Sequence, residues 1–345
     1  MSSVTANPVL VVHTRGGITE SFHRGVVCIV DSSGSVIYST GDVQQVCYPR
    51  SALKFFQHIP LITSGAFDHF GFSLKELALM CGSHNGEEMH TETARGILAK
   101  IGMGEEHLGC GAQTPTHKKD YVSLIKEGKE PGAIHNNCSG KHSGFLAWCV
   151  FNNQPTNNYL ESEHPLHREI KRITALFHEM NEEDLVTGLD GCSAPIFAMP
   201  VLNQAIAYKN LLNPAVFGDE KINRACSLIR EAIATYPEMV AGTKRYCTDL
   251  MAVTRGKVLG KTGADGVYSI GIPSKGYGIC IKIDDGKMGP QYNVAQQVLE
   301  QLGLLSEEEK LALHPYLINQ NRNFAGNVTG ETRTTTILKE LKSTT

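Results

Sequence analysis

The 345-residue chain has one tryptophan, no C-x-x-C pair among its ten cysteines, and no excess of either charge. Thirty-two basic side chains against 35 acidic ones leave a formal charge of −3. That balance offers no electrostatic footprint for nucleic acid or for a membrane surface. No apolar run approaches the ~18 residues needed to span a bilayer; the longest, Phe145–Phe151, reads as a buried helix or strand. The opening stretch MSSVTANPVLVVHTRGG lacks a basic n-region and a long apolar h-region, so no secretory signal is expected in it. Scattered cysteines without an export signal read as free thiols, and the expected location is the cytoplasm.

Apolar residues make up 41% of the chain, enough for a substantial core. The amino end reads as strands: Pro8–His13, Gly25–Val30 and Val36–Ser39, with a turn at Asp31–Ser35. Ser51–Ile62 has apolar residues three apart, a short helix made irregular by Pro60. The middle is helical: a capped start at Ser73 with Glu76 three residues on, then Thr91–Ile101, His164–His178 and Lys221–Tyr236. Loops rich in Gly, Asn, His and Cys are expected at 82–88, 131–144 and 187–195. From about 250, strands return at Lys257–Gly260, Gly266–Ile272 and Gly278–Ile283, and Val294–Leu305 closes as a helix. The expected fold is α+β, one antiparallel sheet assembled from both termini with a helical lobe between. A single unit over 1–345 is expected, with a sheet lobe at about 1–50 and 245–345 and a helical lobe at about 51–244.

Three motifs follow in order. Ser51-Ala52-Leu53-Lys54 is an S-x-x-K opening a helix, a spacing that puts hydroxyl and amine on one face. A neutral Lys54 could take the Ser51 proton as the oxygen attacks a carbonyl. Alone the pattern is weak, and Ser123–Lys126 is a second copy. Ser83-His84-Asn85 is an S-x-N in a loop bounded by Gly82 and Gly86; Lys261-Thr262-Gly263 is a K-T-G on a C-terminal strand. The ordered set supplies what amide hydrolysis needs. Ser51 is the nucleophile, and its own N–H with one beyond Gly263 would form the oxyanion hole. Bringing Lys54 from ~10.4 to near neutrality takes about 4 kcal/mol, which burial and the second cation Lys261 could supply. Ser83 would relay a proton to the departing nitrogen, and Asn85 would orient the amide or Lys54. Gly263 would let substrate lie against its strand.

The motif set resembles the serine β-lactamase, penicillin-binding and glutaminase superfamily, which implies a serine β-lactamase-like fold. The spacing departs from it: Ser51 to Ser83 is short and Ser83 to Lys261 long. The surrounding sequence resembles, nearly end to end, the rhizobial-type (class 3) L-asparaginases of the asparaginase II family. The matching stretches are Thr14–Gly17, Arg50–Lys54, Cys81–Glu87, His135–His142, Asp190–Pro195 and Gly260–Ala264. The resemblance implies hydrolysis of L-asparagine to L-aspartate and ammonia by two Ser–Lys tandems, Ser51–Lys54 and Ser83–Lys261. It implies a zinc site on Cys138, Lys141 and Cys192, substrate contacts from Arg50, Asn85, His142 and Cys247, and a homodimer.

Residue chemistry alone does not select that metal site, because C-x-x-K is not a usual zinc spacing and a lysine ligand must lose its proton. Asp190 and His142 are candidate outer partners of the ligands. Gly140-Lys141-His142-Ser143 is no phosphate loop, since His135 stands where its first glycine belongs. His164 with His167, and His84 with His90, lack any metalloprotease signature and read as ordinary histidines. Two other readings stay open: another serine acyl-enzyme of the superfamily, a glutaminase or β-lactamase, or a non-catalytic module that binds an amide ligand.

Overall fold

The computed structural model describes residues 6–335 and 338–340. Residues 1–5 of the amino-terminal stretch and the end of the expected carboxy-terminal sheet segment lie outside the described residues. The chain groups into two compact units: Met1–Ala52 with Met199–Leu212 and Gly260–Thr345, and Leu53–Ala198 with Asn213–Leu259.

The first unit is built on a nine-stranded sheet. Its path runs Asn319–Arg322, Val328–Thr334, Val9–Arg15, Ile18–Val30, Tyr277–Ile283, Val267–Ile272 and Leu259–Gly263, with Val36–Thr40 also paired to Ile18–Val30. The pairings of Ile18–Val30 with Val9–Arg15, Val36–Thr40 and Tyr277–Ile283 are antiparallel, as are those of Val328–Thr334 with Val9–Arg15 and with Asn319–Arg322, and of Val267–Ile272 with Tyr277–Ile283. Strands from both ends of the chain therefore share one sheet, as the sequence pattern implies. Gly16 and Gly17 close the first hairpin at φ 54° and 84°. A two-residue loop with both φ values positive matches strand twist, and only glycine takes it without cost. The strand Ile18–Val30 is longer than the expected Gly25–Val30, because its exposed first half carries no apolar alternation.

Two helices cover the sheet. Gln204 of Val201–Leu212 donates to Ser269 at 3.0 Å, while Tyr292 of Pro290–Gln301 meets the Tyr268 ring edge-on at 5.6 Å. Successive strand residues point to opposite faces, so these helices lie on opposite sides of the sheet. Gly278 lets the first come close: a Cβ there would stand 2.0 Å from the Ala205 carbonyl oxygen.

The second unit is mainly helical. Leu74–Met80 begins with the expected capping box, Ser73 N–H donating to Glu76 at 2.7 Å. Pro165–His178 and Glu220–Thr235 sit where their periodicity puts them, and Glu88–Lys100 begins three residues before the expected Thr91. The expected helix Ser51–Ile62 is instead a 3-10 turn, Arg50–Leu53, followed by Lys54–Gln57 and Ile59–Thr63. Pro60 has no N–H for a continuous ladder. The segment expected as a loop through Gly144 is helical from Ser139, in Ser139–Phe151. Residues 139–149 of that helix are all buried, so it shows no apolar stripe. No described helix is long and apolar enough to cross a membrane.

Candidate active site

Ser51 stands in the turn Arg50–Leu53, one residue after a strained position. Arg50 has φ 53°, a left-handed conformation that costs a residue with a side chain ~1–3 kcal/mol. The turn is held from several sides. Ala52 N–H donates to the Pro49 carbonyl at 3.1 Å, Tyr208 Oη donates to the Ala52 carbonyl at 3.0 Å, and Arg50 pairs with Asp265 at 2.6 Å. The strand Leu259–Gly263 runs against the same turn. A Cβ on Gly263 would stand 2.0 Å from the Pro49 oxygen, so this glycine admits the backbone that leads into Ser51. Protein packing is thus a demand on this glycine alongside the expected room for substrate. Lys261, on the same strand, is fully buried and donates to the Thr262 carbonyl at 3.0 Å.

Lys54 starts the next helix and is 1% exposed. Its Nζ donates to the Gly82 carbonyl, to Ser83 Oγ at 3.0 Å and to the Asn137 carbonyl at 3.3 Å. The sequence pairs Lys54 with Ser51; the hydroxyl to which its amine is hydrogen-bonded is that of Ser83. The contact puts the amine and the Ser83 hydroxyl within direct reach for proton exchange.

The Ser83 loop is fixed by its backbone and by one carboxylate. Gly82 has no room for a side chain, since a Cβ would lie 2.5 Å from the Met239 oxygen. Ser83 N–H donates to Val240 at 2.7 Å, and His84 N–H to Asn137 at 3.3 Å. Asn85 is committed to the protein: its amide donates to Glu87 and to the Thr243 carbonyl, both at 3.1 Å. Its oxygen accepts from Thr116 at 3.0 Å and Arg245 at 2.8 Å. Glu87 also accepts from Thr243 N–H at 2.7 Å and Thr243 Oγ1 at 2.6 Å. Burial pushes Glu87 up, but the Thr243 and Asn85 donors outweigh it and hold the carboxyl below its ordinary range. Sequence reasoning missed Glu87 and Thr243. The loop tied by Thr243 leads to Cys247, buried in the first turn of Tyr246–Val253.

Cys138, Lys141 and Cys192 do converge. Lys141 Nζ lies 2.9 Å from Cys192 Sγ, and Cys138 Sγ donates to Asn137 Oδ1 at 2.9 Å. The neighbouring Cys192 pulls Cys138 well below the usual thiol range, and the neighbouring Cys138 pushes Cys192 up. Lys141 is buried, a penalty outweighed by Cys192 and Cys138, so its ammonium is stabilised. Asp190 Oδ2 lies 3.8 Å from Cys192 Sγ. His142 is fully buried; its Nδ1 is 2.7 Å from Tyr159 Oη, and its Nε2 has no hydrogen-bond partner. Burial drives His142 down to about 4, so it is neutral at pH 7. Two sulfurs and an amine are donor types that suit a borderline-soft metal ion. Among the described His, Cys, Asp and Glu side chains, a different group, Glu87, His117 and Asp120, has ligand atoms within 4.8 Å of one another. There, however, the Glu87 carboxylate is occupied by Thr243, and His117 Nδ1 bonds Asp120 at 2.5 Å. A cavity of about 540 Å³ beside this loop is lined by Gly86, Arg95, Glu105, Asp120 and His135, among others, and by none of the expected site residues.

A family model described as L-asparaginase II matches residues 11–334. The chain belongs to the L-asparaginase II family. No curated protein matches it. It is similar to the solved native form of the protein Mglu, at 11% identity and a TM-score of 0.46, covering 83% of this chain. The chain spans 66% of the length of that protein. It is also similar to a β-lactamase from Mycobacterium bovis, at 12% identity and a TM-score of 0.41, covering 80% and 94% of the two chains. A Bacillus glutaminase is similar at 13% identity and a TM-score of 0.39, covering 81% and 91%.

Proposed function

We propose that this family member hydrolyses the side-chain amide of L-asparagine, forming L-aspartate and ammonia. Ser51 Oγ attacks the amide carbon while its proton passes to Lys54, three residues on in the continuous turn and helix. The tetrahedral oxyanion collapses, the C–N bond breaks, and the nitrogen leaves as ammonia with a proton delivered from Lys54 through Ser83. Water then attacks the acyl ester, returning aspartate and the Ser51 hydroxyl. The observation that carries this reading is the 3.0 Å contact of the buried Lys54 Nζ with Ser83 Oγ, in a chain that belongs to the L-asparaginase II family. Ser83 and Lys261 are assigned the second tandem, Arg50, His142 and Cys247 substrate contact, and Asn85 the support of the Ser83 loop.

Cys138, Lys141 and Cys192 would hold zinc, which requires Lys141 to give up its proton. When bound, zinc supplies a Lewis-acid anchor for an oxygen or nitrogen of the substrate. The working form is proposed to be a cytoplasmic homodimer; light scattering on the purified chain checks its mass.

Ammonia release from asparagine and from glutamine, with and without a chelator, tests the reading. The expected result is release from asparagine, reduced by chelator and lowered by at least ~10³-fold in Ser51→Ala. An active Ser51→Ala enzyme removes Ser51 as nucleophile. Preference for glutamine, or stable labelling of Ser51 by a β-lactam, would favour another serine acyl-enzyme of the superfamily. Asparagine binding without turnover would leave a ligand-binding module.

A further inference from the structure

The buried Lys54 amine is held by two backbone carbonyls, those of Gly82 and Asn137, and by the Ser83 hydroxyl. The Asn137 carbonyl, 3.3 Å away, also accepts from His84 N–H at 3.3 Å, so it ties the amine to the Ser83 loop. Asn137 stands just before the helix Ser139–Phe151 and its cap Cys138, outside the helical ladder. What holds it comes from a strap outside helix and strand, residues 110–117. The strap is fastened at both ends. Asn136 Nδ2 donates to the Cys110 and Gly111 carbonyls at 3.0 and 3.1 Å, and Thr116 N–H donates to the Asn85 carbonyl at 2.9 Å. Between these ties Ala112 and Thr114 are exposed, while Gln113 is half-buried and accepts the Asn137 N–H at 2.9 Å.

We propose that Gln113 is a positioning residue for the hydrolysis: by holding the Asn137 backbone it keeps that carbonyl on Lys54 Nζ and the amine against Ser83. A lysine amine sits at the end of a flexible four-carbon stem, and the acceptors around it decide where it points. Asn137 N–H and C=O flank the same Cα. A backbone turn that seeks a new acceptor for the first therefore swings the second off Lys54. A misplacement of ~1 Å at reacting groups can cost ~10²-fold in rate. The hold on Asn137 stands on the hydrogen bonds alone; its effect on rate rests on the roles of Lys54 and Ser83 under Proposed function.

The test compares Gln113→Met, which keeps the length and removes the acceptor, with Gln113→Glu, which keeps an accepting oxygen in the same place. In enzyme supplied with zinc, Gln113→Met is expected to lower kcat for asparagine ~10–100-fold with KM nearly unchanged, and Gln113→Glu to regain most of it. Hydrogen exchange at the Asn137 amide should be slow in wild type, faster by ~10-fold or more in Gln113→Met, and slow again in Gln113→Glu. Normal kcat in Gln113→Met, with or without weaker zinc binding, overturns the proposal. Equal losses in both variants, or unchanged exchange at Asn137, overturn it too. If Gln113→Met fails to fold, Gln113→Asn, one methylene too short to reach, takes its place with the same expected losses. A wild-type chain that releases no ammonia sinks the roles of Lys54 and Ser83, and exchange at Asn137 then judges Gln113.

Discussion

Lys54 carries the chemistry only if it can shed a proton inside the protein. Arginine at that position would keep its charge at any working pH and could not serve as a base. Lys54→Arg is therefore expected to lower kcat by ~10²–10⁴-fold in an ammonia-release assay while leaving substrate affinity less affected. A variant with near-normal kcat would show that the amine only fills space beside Ser83. Arg50 belongs to the same scale. Its left-handed φ stands one residue before the proposed nucleophile, and its ion pair with Asp265 helps to hold it there.

At the scale of elements, two contacts hold the machinery in register. The strand Leu259–Gly263 meets the Pro49 carbonyl through Gly263, and the Ser83 loop meets the segment around Thr243 through Glu87. Gly263→Ala would drive a methyl into a backbone oxygen, and a loss of ~1–3 kcal/mol in urea unfolding is expected; unchanged stability would mean that the turn yields. Glu87→Gln keeps the size but replaces one accepting oxygen with a donor facing Thr243. It is expected to cost ~1–3 kcal/mol. Because Glu87 has a depressed carboxyl in the fold, its stabilisation is present above the ordinary glutamate pKa of ~4.3 and lost as pH falls through the depressed value. The variant should lack that acid limb in unfolding measurements, whereas an unchanged limb would assign it to other groups.

These elements also show what the sequence could and could not tell. The S-x-x-K, S-x-N and K-T-G residues were found because each is a short pattern with its own chemistry. The strands Val9–Arg15 and Val267–Ile272 were legible from β-branched runs bounded by turn residues. Glu87 and Thr243, 156 positions apart, carry no pattern that links them. The buried start of Ser139–Phe151 looks like a loop because its Ser, Gly, Lys and His residues find partners that only the folded unit provides. Val328–Thr334 has almost no apolar alternation, and its pairing partner Val9–Arg15 lies at the other end of the chain. The proposed zinc site rests on family resemblance, because no spacing among Cys138, Lys141 and Cys192 marks a metal site.

For the whole molecule, pH should matter through histidines kept neutral by burial. Burial lowers His58 to about 4 and His167 to about 3, against an ordinary value of ~6.5. Depressed histidines stabilise the fold fully above ~6.5, and that contribution fades as pH falls toward 4 and then 3. Each is worth on the order of 3 kcal/mol across that range. Chemical unfolding at pH 7.5 and at pH 4.5 should differ by several kcal/mol, and the gap should narrow in His167→Phe; a flat profile would mean that these rings are open to water.

A sheet whose middle strand, Ile18–Val30, is completed by Tyr277–Ile283 also has a calendar. During synthesis the amino-terminal hairpin emerges about 250 residues before its neighbour, an interval of ~10–50 s at ordinary elongation speeds. For that time the apolar residues Val26–Val30 have no finished partner on one flank, and the helical unit is made meanwhile. A nascent chain stalled before Tyr277 should therefore engage chaperones through this hairpin, and one released after Ile283 should not.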